Sequence, residues 1–336
     1  MGKSEMKKNI LFVYTNYSTF VKTDFGILSE KHEVVKYQFK PVKGLLKTAF
    51  QMLRQLFYLL FNIWKFDSVF IWFADYHSFL PILIAKILHK KTMLVIGGYD
   101  VARMPEYGYG SFHGKLRGFC TLFSMKNSTL NLAVSKYVER KVRWIARKAN
   151  TRLIYNCVNI AENSSIKVVK ENLVLTVGLI DSERTFYLKG IDTFTEVAKL
   201  LPELKFMVIG MSKNLQDRLL KNLSENVEII ERVNHSELET YYKKAKVYCQ
   251  FSRTESFGVA IVEAINFGCI PVVTNVGGMP ELIGEKGKIA KRNPDLISEL
   301  LTGIVFNFTI SEMDKDFKNG IFSVKTREEK ILALIN

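Results

Sequence analysis

Short apolar runs rich in β-branched and aromatic residues recur along this chain, and longer stretches of helical periodicity separate them. In the first half the strand candidates are Asn9 to Tyr14, Glu33 to Phe39, Ser68 to Phe73, Thr92 to Ile96, Asn131 to Val134 and Arg152 to Tyr155. In the second half they are Leu173 to Val177, Lys205 to Ile209, Val227 to Ile230, Val247 to Phe251 and Ile270 to Val273. Apolar strands separated by amphipathic helices belong in parallel sheets covered on both faces. Two such series predict an α/β protein of two Rossmann-like domains. The pattern breaks into polar residues at Asn156 to Ser165 (NCVNIAENSS), which places the seam there. The expected domains are 1–157 and 158–322, with a final helix (323–336) that is a candidate to join the first. A chain of 336 residues, 48% of them hydrophobic, suffices for two cores.

Charge is divided unequally. Residues 1–157 hold 25 Lys+Arg against 9 Asp+Glu, a net of +16, whereas 158–336 hold 23 against 24, a net of −1. A basic half beside a neutral one predicts an anionic surface or an anionic acceptor for the first half. No nucleic-acid-binding motif accompanies the charge. The stretch Lys43 to Lys65 sharpens the point. Leu46, Phe50, Leu53, Phe57, Leu60 and Trp64 fall on one helical stripe, and Leu45, Ala49, Met52, Leu56, Leu59 and Ile63 form a second beside it. Lys43, Lys47, Arg54 and Lys65 flank the first stripe on its other side. One stripe suffices to pack on a sheet. The second predicts either a deeply buried helix or one lying at a membrane surface with its cations on lipid phosphates. Charged and amide side chains interrupt every window of the ~20 residues that a membrane span needs.

Four scattered cysteines, Cys120, Cys157, Cys249 and Cys269, suggest neither a zinc site nor a disulfide framework. The apolar run after the N-terminal lysines is too short for a signal-peptide core and reads as the first strand. A cytoplasmic protein, peripheral at most on the inner membrane face, is the expectation.

The chemistry concentrates in Arg253 to Gly284, RTESFGVAIVEAINFGCIPVVTNVGGMPELIG. Glu255 follows a strand, so it stands at the carboxyl edge of a parallel sheet, where open α/β sheets bind ligands. Ser256, Phe257 and Gly258 then open a helix whose free N–H groups and dipole suit a phosphate. Glu263 is the only charge among Val259, Ala260, Ile261, Val262, Ala264 and Ile265. A carboxylate there needs a partner: a ligand hydroxyl, an internal Arg or Lys, or water. The Gly277-Gly278 pair and Pro280 predict a second backbone loop and helix start at the same edge.

This segment resembles the signature of retaining glycosyltransferases of family 4 (glycosyl transferases group 1), which have the GT-B fold of two Rossmann-like domains facing across a cleft. Their pattern is a Glu, a Phe-Gly two and three positions on, and a second Glu eight positions after the first, here Glu255, Phe257, Gly258 and Glu263. The resemblance implies that Glu255 contacts the donor sugar hydroxyls, that Glu263 holds the ribose, and that the amides around Gly258, from Ser256 to Val259, hold a phosphate. It extends upstream through VGLIDSERTFYLKG, where Lys189 matches a Lys implied to touch the donor diphosphate. Relatives commonly carry an Arg after the strand's Gly. Here Leu179 follows Gly178, and Arg184 is the candidate to replace that guanidinium. With Lys189 it would offset leaving-group charge.

In the first half the similarity rests on LAVSKYVERKV and LIYNCVNI, with Cys157 where relatives have Gly. Gly97 stands where they often have His. Asp100 and His77 are the acceptor-side candidates, and a structural or surface role for His77 stays open. The implied activity is hexosyl transfer from a nucleotide sugar, such as a UDP- or GDP-sugar, to a glycan, lipid-linked or other cell-envelope acceptor. Retention, no metal ion and no cofactor are part of the expectation. A nucleotide-sugar epimerase of related fold and a non-catalytic nucleotide-sugar or nucleic-acid binding protein are the alternatives.

Overall fold

The structure, a computed structural model, describes residues 7–158, 169–307 and 320–335. From residue 159 on, the predicted seam lies outside the described residues. The chain divides into two compact units, residues 1–157 with 324–336, and residues 158–323.

The first unit contains β1 (Asn9–Tyr14), β2 (Glu33–Gln38), β3 (Ser68–Trp72), β4 (Lys91–Ile96), β5 (Leu130–Ala133) and β6 (Thr151–Leu153). They form one parallel sheet in the order β2-β1-β3-β4-β5-β6. Its helices are α1 (Thr19–Lys31), α2 (Leu45–Asn62), α3 (Tyr76–Ile87), α4 (Lys115–Asn127) and α5 (Lys136–Ile145). Ile10, Leu11, Phe12 and Val13 of β1 are wholly buried, as a central strand covered on both faces requires. Each such side chain contributes about 1.5–3 kcal/mol through removal from water.

The second unit contains β7 (Glu171–Ile180), β8 (Lys205–Met211), β9 (Val227–Ile230), β10 (Ala245–Gln250), β11 (Ile270–Thr274) and β12 (Lys288–Ala290), ordered β12-β11-β10-β7-β8-β9. Its helices are α6 (Glu183–Lys189), α7 (Ile191–Leu200), α8 (Lys213–Leu219), α9 (His235–Lys244), α10 (Val259–Asn266), α11 (Met279–Ile283) and α12 (Pro294–Asn307). The sequence pattern misses β12, three residues of which two are exposed, because it contains no apolar run. Both sheets have a switch point, where strand order reverses: between β1 and β3 in the first, between β7 and β10 in the second. Crevices at the carboxyl ends of such strands are the general ligand sites of open α/β sheets.

The last helix, α13 (Val324–Ile335), belongs to the first unit. Arg327 anchors it. Its Nε and Nη2 donate to Asp24 Oδ1 and Oδ2 at 2.6 and 2.7 Å, and Nη1 donates to the Tyr155 carbonyl at 2.7 Å. Trp72 Nε1 also donates to Asp24, at 2.9 Å. The pair is fully buried, so every donor and acceptor has to be matched in place of water.

The two-stripe helix resolves in an unexpected way. Leu59 and Ile63, with Thr48 and Gln55, face inward. The first stripe faces outward: Leu46 is 87% exposed, Phe50 67% and Trp64 66%. A deeply buried α2 is therefore ruled out. Among the described residues no helix is long and apolar enough to cross a membrane.

Candidate active site

At the switch point of the second sheet, β10 ends at Gln250 and β7 runs past Gly178 to Ile180. Glu255 lies in the loop after β10. Its Oε2 accepts from Lys189 Nζ at 2.8 Å and from Gln250 Nε2 at 2.8 Å, and its Oε1 accepts from the Ser256 amide at 3.2 Å. The ammonium is the last residue of α6, and its stem passes over Gly178, where an added Cβ would stand 3.7 Å from Lys189 Cδ. The carboxylate is 17% exposed and the ammonium 33%, so the pair faces a partly wet edge.

Backbone geometry holds Glu255 there. Its carbonyl accepts from the Gly278 amide at 2.9 Å, and a Cβ on Gly277 would stand 1.6 Å from that same oxygen. Only glycine permits the approach, and at φ +62° it also adopts the turn without strain. The second backbone loop thus reaches this edge. Gly258, at φ +85°, turns the chain into α10, whose first amides begin at Val259. Deeper in that helix, Glu263 Oε1 accepts from His235 Nε2 at 3.0 Å, and Oε2 from the Tyr242 hydroxyl at 3.1 Å. The carboxylate raises the His235 pKa by accepting that hydrogen bond. Among the described residues, no group of three His, Cys, Asp or Glu side chains could hold a metal ion.

At the first sheet's switch point, a hollow of about 280 Å³ opens beyond β1 and β3. Phe39, Phe73, Tyr76 and Tyr99 line it, with Asp75 and Arg117 between them. Arg117 Nη1 donates to the Tyr99 hydroxyl at 2.7 Å, and Nε stands 3.1 Å from Asp75 Oδ1. The guanidinium lies over the Tyr76 ring at 5.2 Å. Asp75 also caps α3 by accepting from the Tyr76 amide at 2.7 Å. Phe73 holds φ +69°, rare for a bulky side chain. An added Cβ on Gly97 would stand 2.2 Å from the Phe73 ring, which fills the place that a larger residue at 97 would need.

The comparisons with known proteins bear on this arrangement. Residues 160–329 match the model of glycosyl transferases group 1. The chain belongs to that family. The chain is 26% identical over 233 residues to one of the subunits of the phosphatidylinositol N-acetylglucosaminyltransferase of Arabidopsis thaliana, a match that covers 66% of this chain and 51% of that protein. Protein CapJ of Staphylococcus aureus is 25% identical over 286 residues, 82% of this chain and 68% of that one. The chain thus spans about half the length of the first relative and two thirds of the second. Among solved structures, sucrose-phosphate synthase from Thermosynechococcus elongatus aligns with a TM-score of 0.76 at 14% identity, over 98% of both chains. HepE of Anabaena, solved in complex with UDP and glucose, aligns with a TM-score of 0.72 at 15% identity, over 98% of this chain and 99% of that one. These likenesses show the fold, GT-B.

Not every residue singled out in the sequence converges. Arg184 does not join the Lys189–Glu255 pair. The SER segment folds as the start of α6, so Arg184 stands exposed, about 140° around the helix from Lys189. The Phe257 side chain is buried edge-to-face against Phe322, 5.5 Å between centroids, which leaves its backbone at the edge but not its ring. Ser256 and Val259 are half-buried beside Gly258.

On the first sheet, Asp100 is wholly buried. Its carboxylate accepts from the amides of Gly98 (2.6 Å), Gly97 (3.2 Å) and Ala74 (3.2 Å), clamping two loops together rather than facing an acceptor. Burial nevertheless pushes its pKa up to about 6 against those donors. His77 borders the hollow, but its ring is buried and Nε2 donates to the Trp72 carbonyl at 2.7 Å. Burial lowers its pKa, so the neutral ring serves as a structural tie.

Two residues escaped the sequence reading. Arg253 Nη1 and Nη2 donate to Asp192 at 2.8 and 2.5 Å, while Nη1 also reaches the Tyr187 carbonyl. The fork ties the Glu255 loop to the α6–α7 corner that carries Lys189. Its place two residues before Glu255 was the available signal. Arg117 gave none, lying in a helix with no motif around it.

Proposed function

We propose that this chain moves a hexosyl group from a nucleotide sugar, with retention of configuration, to a glycan, lipid-linked or other cell-envelope acceptor. The observation that carries the reading is the Lys189–Glu255 pair, 2.8 Å apart beside the start of α10 and held by a glycine loop. In this reading Lys189 and the first amides of α10 take the donor diphosphate. Glu255 takes the sugar hydroxyls, and Glu263 takes the ribose while His235 and Tyr242 orient it. The bond from the anomeric carbon to phosphate oxygen breaks as the bond to the acceptor oxygen forms on the same face. The departing phosphate receives the acceptor's proton. Lys189 offsets the charge that develops on that phosphate, and Glu255 orients the sugar and steadies its positive character rather than attacking it. The reading involves no cofactor and no metal ion. That HepE binds UDP and glucose supports a nucleotide-sugar donor.

The reading also places the protein at the cytoplasmic side of a membrane. The outward stripe of α2, flanked by Lys47, Arg54 and Lys65, suits an anionic lipid surface. Co-sedimentation with phosphatidylglycerol vesicles at low salt checks it, and no binding defeats that part.

A thermal-shift screen of UDP-, GDP- and ADP-sugars tests the donor. One of them should raise Tm, because a ligand of the native state stabilises it. Glu255→Ala should then slow transfer from that donor by about 10²–10³ in a folded protein. Unaltered transfer removes the role assigned to Glu255, whereas an epimer or free sugar without transfer favours an epimerase.

A further inference from the structure

The proposed donor reading assigns no role to the hollow at the first sheet's switch point, whose chemistry differs from that of the second. Aromatic rings form its walls, and a carboxylate and a guanidinium lie between them. Such a set suits a polyhydroxylated ring: C–H faces rest on aromatic faces, and hydroxyls bridge acceptor and donor groups. An open apolar depression adjoins it, lined by Val42, Leu46, Lys47, Phe50 and Gln51. Val42 lines both hollows. A polar seat therefore passes directly into an exposed apolar track with a lysine at its side.

We propose that the acceptor of this enzyme is an amphiphile. Its sugar or cyclitol head sits between Asp75 and Arg117, and its hydrocarbon chain runs over Val42, Leu46 and Phe50. The inference rests on the glycosyl-transfer reading and specifies its acceptor class. It accounts for two features which the donor side leaves unexplained: large apolar side chains kept exposed on α2, and a part-exposed guanidinium held by Tyr99, Tyr76 and Asp75 at the mouth of a strand crevice. Asp75 and Arg117 balance one another in charge, so the seat recognises hydroxyls rather than a bare anion. Exposed apolar area on a helix is otherwise unfavourable, and an alkyl chain laid along it removes both partners from water.

Titration calorimetry of the full chain tests this with octyl and methyl β-glycosides of glucose, galactose and N-acetylglucosamine, all below micelle concentration. For at least one sugar the octyl glycoside should bind tenfold or more tighter than its methyl counterpart. The Leu46→Asp/Phe50→Asp variant should bring the octyl compound back to the methyl affinity. Arg117→Ala should weaken both by tenfold or more, and Arg117→Lys, which keeps the charge but not the fork, should recover only part. Circular dichroism confirms that each variant is folded.

Equal affinities within all three pairs, or no binding by any of them, overturns the proposal. Unchanged octyl binding by the α2 variant does so too. Vesicle binding without any preference for octyl glycosides would make the stripe a membrane contact alone. A donor thermal shift measured in parallel separates the two readings: a chain that responds to a nucleotide sugar but ignores the alkyl chain keeps its donor site and loses this acceptor.

Discussion

At the switch point of the second sheet a carboxylate and an ammonium stand 2.8 Å apart beside a helix start, and both reach water. At that of the first, four aromatic rings surround an Asp75–Arg117 pair, while Asp100 and His77 are withdrawn into the fold. The two sheets share a topology: parallel strands whose order reverses once. Their edges share little else. Topology provides the crevice, and the loops decide what it holds. Titratable groups at a sheet edge are thus a weak sign of chemistry by themselves. What distinguishes Glu255 from Asp100 is that Glu255 keeps contact with solvent, while the Asp100 carboxylate takes three backbone amides.

The largest test of that contrast removes a structural charge. Arg327→Ala should destabilise the first unit by about 3–5 kcal/mol, because it leaves Asp24 buried and unpaired. Urea denaturation followed by tryptophan fluorescence, with Trp72 beside the pair, measures it. A loss under about 1 kcal/mol would show that Asp24 reaches water or another partner. Next comes Glu255→Ala, expected to cost about 10²–10³ in kcat, roughly 3–4 kcal/mol of transition-state stabilisation, with the midpoint of unfolding hardly changed. A variant that lost stability instead of rate would make Glu255 a structural residue like Asp100.

Asp100→Asn tests the other side. A carboxyl whose folded pKa is about 6, above its unfolded 3.8, favours folding fully only below 3.8 and loses that contribution as pH rises to 6. Between pH 4 and 6 the variant should therefore gain on the native chain, by about 2–3 kcal/mol for a shift of this size. A flat difference would mean that the three amides hold the carboxylate ionised throughout. The smallest effect is expected at His235, which is more than half exposed. Its pKa is raised above 6.5, so its pairing with Glu263 stabilises fully below pH 6.5 and fades as pH rises through the higher folded value. Tm against pH for the native chain and His235→Gln should converge on the alkaline side, with a gap of less than a degree or two elsewhere.

The sheets and their strands were legible because each strand is a short apolar run, a pattern that burial on both faces imposes. Lys189, Glu255 and the glycine loop were legible too, since residues that approach one another through backbone leave glycines at fixed spacing. Three things were not. Arg184 was misplaced because the residues from Glu183 on form a helix, and helical geometry separates it from Lys189. The outward face of α2 could not be chosen from periodicity, which locates stripes but not the direction of the sheet. Arg117 and Asp75, 42 positions apart in sequence, meet only through the packing of α3 on α4.

One consequence of the Arg327 anchor concerns synthesis. The ribosome delivers Asp24 early and its guanidinium some three hundred residues later. Until then, the acid has Trp72 but lacks its cationic partner. Domains that fold as they emerge usually do so from the amino end; here the lobe translated first has to be completed last. A nascent chain stalled short of α13 should accordingly be a poor substrate for release and a good one for chaperones or proteases.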